Sequence, residues 1–223
     1  MSENYKSGLS TAAHDKMDVQ AYFSLVHEAV CHRKGGLIAD VFSGGGRDIL
    51  ALRSLLKGDG RFVAIDADPL RIKDMLAKND AGGAPLFAET RTRAALKAAF
   101  AQQKIAVLEG TFPDKPYGDT KINLKGKADF ILCNAGIMFV PPQDLDKTLA
   151  MLAGMLAPKG EMFLRFSQER ADKARKPDYH IHEPSLVRDT LMREGVHVIR
   201  NPDLPDPDKR GFSWVDLNCY KVG

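Results

Sequence analysis

Cysteine is scarce in this sequence and its hydrophobic runs are short. The three cysteines, Cys31, Cys133 and Cys219, are scattered and odd in number, with no CxxC pair and no zinc spacing. That pattern argues against a disulfide framework and a structural metal. No run of about 18 apolar residues occurs, so no segment is expected to span a membrane. The opening residues MSENYKSGLSTAAHDK lack the apolar centre of a secretory signal, and a cytoplasmic location is the expectation. Charge of one sign is lacking too: the net charge of +3 permits an anionic partner. It does not give the dense basic footprint usual in nucleic-acid binders. Repeats and low-complexity tracts are missing as well.

What is present is alternation. The 223 residues have room for one α/β domain with a full core. Short apolar runs alternate with longer amphipathic stretches, which predicts βαβ units around a parallel sheet. A first helix is expected over residues 16–33, ended by Gly35-Gly36, so that residues 1–35 form a helical cap. Strands are expected at 37–42, 61–66, 104–109, 128–134, 161–166, 196–200 and 213–222. Helices are expected near 47–57, after Pro69, at 90–103, after Pro141-Pro142 and at 183–194, and Pro158-Lys159-Gly160 reads as a turn. Two helices between the second and third strands exceed a minimal unit, which suggests an insertion near 80–89. The charged stretch Ser167 to His182 has no apolar period and reads as a lid loop.

The expected fold is therefore a seven-stranded, mostly parallel, doubly wound α/β sheet. Helices cover both faces, a terminal strand runs antiparallel, and residues 1–223 form a single domain. A closing strand, loop and last strand differ from a six-stranded dinucleotide fold of two equal halves.

The chemistry concentrates at Asp40-Val41-Phe42-Ser43-Gly44-Gly45-Gly46-Arg47-Asp48, between the first strand and its helix. Three consecutive glycines let the backbone turn sharply and approach a ligand closely. In a doubly wound sheet this is the crevice at the carboxyl ends of the strands. A dinucleotide GxGxxG anchored on Gly44 and Gly46 would need glycine where Ile49 stands, and the GK of a P-loop is missing. Asp48 would repel a phosphate, whereas a cofactor carrying sulfonium and ammonium groups tolerates it. Asp66, ending the second strand, sits where a carboxylate accepts hydrogen bonds from ribose hydroxyls. Asp68, before Pro69, suits a helix cap better.

DVFSGGGRDILAL resembles motif I of class I S-adenosylmethionine-dependent methyltransferases, and FVAIDADP resembles their acidic second motif. KADFILCNAGIMFVPP is similar to their fourth-strand region and LAPKGEMFLRF to their fifth strand. The likeness covers residues 37–166, with weaker support to 222. The GRD loop, the PP-initiated helix and the pair Arg210 and Trp214 resemble bacterial small-molecule methyltransferases, tellurite-resistance-type enzymes among them. This resemblance implies S-adenosyl-L-methionine as cofactor, held by the loop residues Asp40, Phe42, Gly44, Gly46, Arg47 and Asp48. Gly44 and Gly46 would border the methionine moiety, Asp66 the ribose and Ala67 the adenine. Gly110, Thr111 and Phe112 would lie near the adenine edge, with Phe112 stacking on the ring. Asn134 and Ala135 would face the methyl group. Met138-Phe139-Val140-Pro141 departs from a Met-His-x-Pro pattern, so the polar contact expected there is in doubt. Lys159 replaces a glycine of the turn before the fifth strand.

Methyl transfer by in-line displacement relies on positioning, and a base is needed only where the acceptor loses a proton. The candidates are His180, His182 and Tyr179, with Tyr22 and His14 behind them. Solvated loop residues would look the same, and metal binding by His180 and His182 lacks a third ligand. Arg165 could meet an anionic acceptor or pair with a neighbouring carboxylate. The expected acceptor is a small molecule, methylated on O, N or S, and a homodimer is compatible with the chain.

Rival readings are weaker. Asn134-Ala135-Gly136 echoes NAD-dependent short-chain oxidoreductases, but Tyr179 is followed four positions on by Glu183, so their Tyr-x-x-x-Lys pair is missing. Adenine methylation in DNA usually goes with Asn/Asp-Pro-Pro-aromatic, and cytosine methylation with a Cys beside Pro; Asn134 and Cys133 fit neither. An RNA- or protein-directed methyltransferase stays open as the alternative.

Overall fold

The first strand, β1 (Leu37–Val41), is buried at all five positions. A strand with no polar alternation belongs in the middle of a sheet covered on both faces. The computed structural model, which describes residues 26–167, 179–202 and 214–223, places it there. The other strands are β2 (Arg61–Asp66), β3 (Phe87–Glu89), β4 (Ile105–Glu109), β5 (Ala128–Asn134), β6 (Leu156–Ser167), β7 (Val196–Arg200) and β8 (Trp214–Lys221). Their order across the sheet is β3-β4-β2-β1-β5-β6-β8-β7. Pairing is parallel from β3 to β6, and β8 runs antiparallel between β6 and β7.

The helices are α1 (Arg47–Leu55), α2 (Pro69–Leu76), α3 (Arg93–Ala101), α4 (Pro142–Met155) and α5 (Pro184–Arg193); residues 26–30 are also helical. Strand alternation divides the core. Leu37, Ala39 and Val41 of β1 pack with Leu149 of α4 and Leu191 of α5 on one face. Ile38 packs with Val30, Ile49 and Leu52 of α1 and Met75 of α2 on the other. Helices therefore cover both faces, because successive side chains of a strand point to opposite sides. The helix starts follow local chemistry: Asp68 accepts from Leu70 N at 2.8 Å with Pro69 in the first turn, and Thr92 accepts from Ala95 N at 3.1 Å.

Two expectations need correction. The described residues form eight strands rather than seven, because Phe87–Glu89 adds an edge strand beside β4. Three residues are too few to carry a periodic signal, so the extra strand read as an insertion. The Pro158-Lys159-Gly160 stretch lies inside β6, where Lys159 takes φ 62° and the pairing with β5 shifts register. It is a kink within one strand, since a single left-handed residue can be absorbed as a bulge.

Parallel pairing puts the ends of β1, β2, β4 and β5 on one edge. Chain order reverses between β1 and β5, since β1 is followed by β2 on one side and joined by β5 on the other. That reversal opens a crevice where ligands bind in sheets of this kind.

Candidate functional site

The loop after β1 enters the crevice through left-handed backbone, with φ 60° at Phe42, 54° at Gly44 and 75° at Gly46. Its glycines serve different ends. A Cβ on Gly46 would come within 2.9 Å of Met75 Cγ and Phe87 Cζ, so this glycine lets the loop seat against α2 and β3. A Cβ on Gly44 or Gly45 would meet no atom of the described residues within 4 Å. Neighbouring groups hold the loop. Gly44 N donates to Asp66 Oδ2 at 2.7 Å, Ser43 N to Ile65 O at 3.0 Å, and Lys78 Nζ to Gly45 O at 2.6 Å.

Three carboxylates surround this loop. Asp40 is 2 % exposed, and its Oδ2 has no hydrogen-bond partner among the described residues. Burial pushes its carboxyl well above the usual range, and the charges of Asp48 and Asp66 push it further. Asp48 accepts from Arg47 Nε and from Asn134 Nδ2, each at 2.7 Å, which ties α1 to the end of β5. Asp66 accepts from Gly44 N on one oxygen and from Asp68 N at 2.9 Å on the other. Burial raises the Asp66 carboxyl, and those two backbone donors counter part of the rise. With about four lone-pair sites on its two oxygens, the carboxylate can still accept from a further donor. A buried carboxylate without a partner is costly unless it holds a proton or meets a cation.

The ends of β4 and β5 add walls. A Cβ on Gly110 would strike Pro116 O at 2.1 Å, so this glycine serves the packing of its own loop. Gly110 N donates to Asp66 O at 2.9 Å, and Thr111 pairs backbone groups with Lys115. Phe112 is 8 % exposed and its ring lies 5.1 Å from that of Phe42, tilted by 42°. Phe42 thus packs against the Phe112 ring beside the end of β4. Glu109, Gly110 and Thr111 border a cavity of about 490 Å³ that also meets Ile72 and Glu89. Ala67 is exposed directly after Asp66. At the end of β5, Ala135 takes φ 60° and donates its N–H to Arg165 O at 2.8 Å. Gly136 is needed behind it, because a Cβ there would lie 2.2 Å from Phe42 Cδ2.

Tyr179, His180 and His182 dock on the 3-10 turn Gly136–Phe139 that follows β5. His180 N donates to Met138 O at 2.8 Å, and the rings of Tyr179 and Phe139 lie 4.9 Å apart. His182 is 3 % exposed, with Nε2 donating to Ile137 O at 2.9 Å, and burial lowers its basicity. The segment 179–182 is thus seated, not a solvated stretch of lid, and His182 is a buried anchor. His180 is half-buried. Residues 168–178 of the expected lid, most of the expected cap, and His14, Tyr22 and Arg210 lie outside the described residues.

No protein-family model matches the chain, and no curated protein matches it. Solved structures do. A Burkholderia thailandensis 1,6-didemethyltoxoflavin N1-methyltransferase, bound to 1,6-didemethyltoxoflavin and S-adenosylhomocysteine, superposes with TM-score 0.56 at 15 % identity, over 94 % of this chain and 84 % of that one. A SAM-dependent methyltransferase from Aquifex aeolicus gives TM-score 0.59 at 16 % identity, over 96 % and 94 %. An O-methyltransferase family protein from Burkholderia thailandensis gives 0.58 at 13 %, over 92 % and 56 %. The chain has the class I methyltransferase fold.

Within that fold, the residues expected from sequence separate into groups. Asp40, Gly44, Asp48, Asp66 and Asn134 converge on the loop after β1, with Arg47 beside Asp48. Gly46 and Gly110 are explained by packing, and Phe112 packs against Phe42. Gly45, Lys78 and Gly136 were missed; a run of glycines gives no sign of which faces open space, and Lys78 arrives from beyond α2. Arg165 pairs with Asp216 of β8 through Nε–Oδ1 and Nη2–Oδ2 contacts of 2.6 Å, below Trp214, rather than facing an acceptor. Burial pushes the Cys133 thiol up to about 12, so it offers no thiolate for nucleophilic methyl transfer at neutral pH.

Proposed function

We propose that this protein is an S-adenosylmethionine-dependent methyltransferase acting on a small-molecule acceptor. The unpartnered, buried Oδ2 of Asp40 carries the reading. It lies in a cluster with Asp48 and Asp66, behind a loop whose Gly44 and Gly45 face open space. Such a cluster suits a cationic ligand and repels a pyrophosphate. The residues present fit the methyltransferase cofactor. Asp66 would take the ribose hydroxyls on its remaining lone pairs, and the open face at Gly44 and Gly45 would admit the methionine part. Asp40 and Asp48 would supply the negative field, and Ala67 would border the adenine.

When bound, the cofactor supplies a methyl group on a sulfonium, already activated for displacement. The protein's part is placement. Asp48 fixes the Asn134 side chain at the end of β5, and the left-handed Ala135 turns the chain away behind it. His182, holding Ile137 O, anchors the segment that carries His180 and Tyr179. His180 is the group proposed to take a proton from an acceptor that must lose one, with the Tyr179 hydroxyl beside it. An acceptor needing no deprotonation would use neither.

Ligand-dependent melting tests the donor. S-adenosylmethionine and S-adenosylhomocysteine should each raise the melting temperature, by about 4 kcal/mol of added stability at a thousandfold excess over Kd. NAD should not. A protein that melts identically with and without both sulfur ligands is not such an enzyme. Transfer of a labelled methyl group to small molecules, compared with RNA and protein fractions, identifies the acceptor class.

A further inference from the structure

The edge of the sheet opposite the glycine loop carries a second concavity. Leu37 and Arg61 are the first residues of β1 and β2, and Asp129 is the second of β5; all three line a cavity of about 780 Å³. The five residue steps along β2 from Arg61 to Asp66 put about 17 Å between this cavity and Asp66. It is therefore separate from the crevice described above.

Its lining is polarised. Leu37, Ile122 and Leu124 are buried apolar residues beneath, with Phe100 of α3 beside them. Around them stand four cations: Arg61, Arg93, Lys97 and Lys127, all exposed. Among the described residues none of these four makes an ion pair. Arg93 uses Nε on Lys121 O at 2.9 Å, which leaves its charge uncompensated. The one carboxylate in the lining, Asp129, has Oδ2 committed to Leu37 N at 2.7 Å. A molecule whose net charge is only +3 thus gathers four cations, set against the one carboxylate of Asp129, about one concavity. Like charges over low-dielectric walls raise the potential inside and draw in an anion.

We propose that this cavity binds an organic anion with an apolar body and a phosphate or carboxylate group. The buried floor would cover the body, and the guanidinium and ammonium groups would hold the charge, Arg61 and Arg93 being suited to bidentate contact. The volume falls in the usual range for small-ligand sites and exceeds what a bare inorganic ion needs.

Titration calorimetry with the full chain tests this, using 1-naphthyl phosphate and 2-naphthoate as the two head-group arms. At least one should bind saturably at one site per chain, with affinity falling as salt is added. The Lys97→Gln, Lys127→Gln double variant, altered only at exposed positions, should keep its melting temperature and bind at least tenfold more weakly. Saturating S-adenosylhomocysteine should leave the affinity unchanged. Four results would each overturn the proposal: no saturable binding of either probe, affinity unaltered in the double variant, displacement by S-adenosylhomocysteine, or inorganic phosphate binding as tightly as the naphthyl ester. Tighter binding of a short oligouridylate than of either probe would also overturn it, marking a nucleic-acid surface instead. Each readout is independent of methyl transfer, so failure of the cofactor reading leaves this one standing.

Discussion

The backbone N–H of Gly44 donates to Oδ2 of Asp66 at 2.7 Å, so the end of β2 holds the loop that follows β1. One carboxylate thereby shapes the glycine loop and faces the same crevice. The two roles can be separated by experiment. Asp66→Ala removes both, and hydrogen bonds to a charged group contribute about 1.5–3 kcal/mol. S-adenosylhomocysteine should bind roughly tenfold to a hundredfold more weakly by calorimetry. Asp66→Asn keeps an acceptor for Gly44 N and should fall between. Wild-type affinity in Asp66→Ala would remove this residue from the site.

Asp40 gives the crevice a pH dependence of definite sign. Its folded carboxyl is raised above 3.8, so the folded protein holds this proton more tightly than the unfolded chain. The stability it contributes is complete below that value and is lost as pH rises through the folded pKa. A cationic ligand favours the ionised form, so S-adenosylmethionine should bind more tightly over the same rise, releasing a proton. Asp40→Asn should flatten both profiles. An unchanged slope in the affinity profile of that variant would assign the dependence elsewhere.

Gly45 and Gly136 separate a ligand-facing glycine from a packing one. No atom of the described residues lies within 4 Å of a Cβ at Gly45, whereas one at Gly136 would meet Phe42 Cδ2 at 2.2 Å. Gly45→Ala should leave stability within about 0.5 kcal/mol of wild type and weaken S-adenosylhomocysteine binding. Gly136→Ala should cost about 1–3 kcal/mol through overpacking. At roughly 2–4 °C per kcal/mol for a domain of this size, thermal melting resolves that. Equal melting temperatures for the two variants would contradict the assignment.

The Arg165–Asp216 pair joins β6 to the antiparallel β8 at a point where both side chains are buried. Asp216→Ala strands a buried guanidinium and should cost about 3–5 kcal/mol in denaturant unfolding. Replacing both, as Arg165→Met with Asp216→Leu, should recover most of that loss. A double variant as unstable as Asp216→Ala would show that the pair contributes through more than mutual neutralisation.

Much of this was legible in the chain. The buried run LIADV and the Asp-Pro start of α2 are local signals, and the elements they announce are found. The missing glycine at Ile49 and the carboxylate of Asp48 turn the loop from phosphates before any coordinates are known. Local chemistry did not reveal β3, three residues long and held only by its pairing with β4. The kink at Lys159 was equally hidden, because register is a property of two strands at once.

By itself, then, the sequence determined the alternating α/β architecture, the glycine loop after β1 and the acidic residue ending β2. Those follow from periodicity, backbone freedom and side-chain charge, all carried within a few residues. Only the tertiary structure decided that Oδ2 of Asp40 has no hydrogen-bond partner among the described residues, that Phe112 packs against Phe42, that Arg165 belongs to Asp216 and that His182 is an anchor. The physical reason is common to all four. Burial and pairing depend on residues brought together from distant parts of the chain, and a group's charge, exposure and reach are set by those neighbours rather than by its own identity.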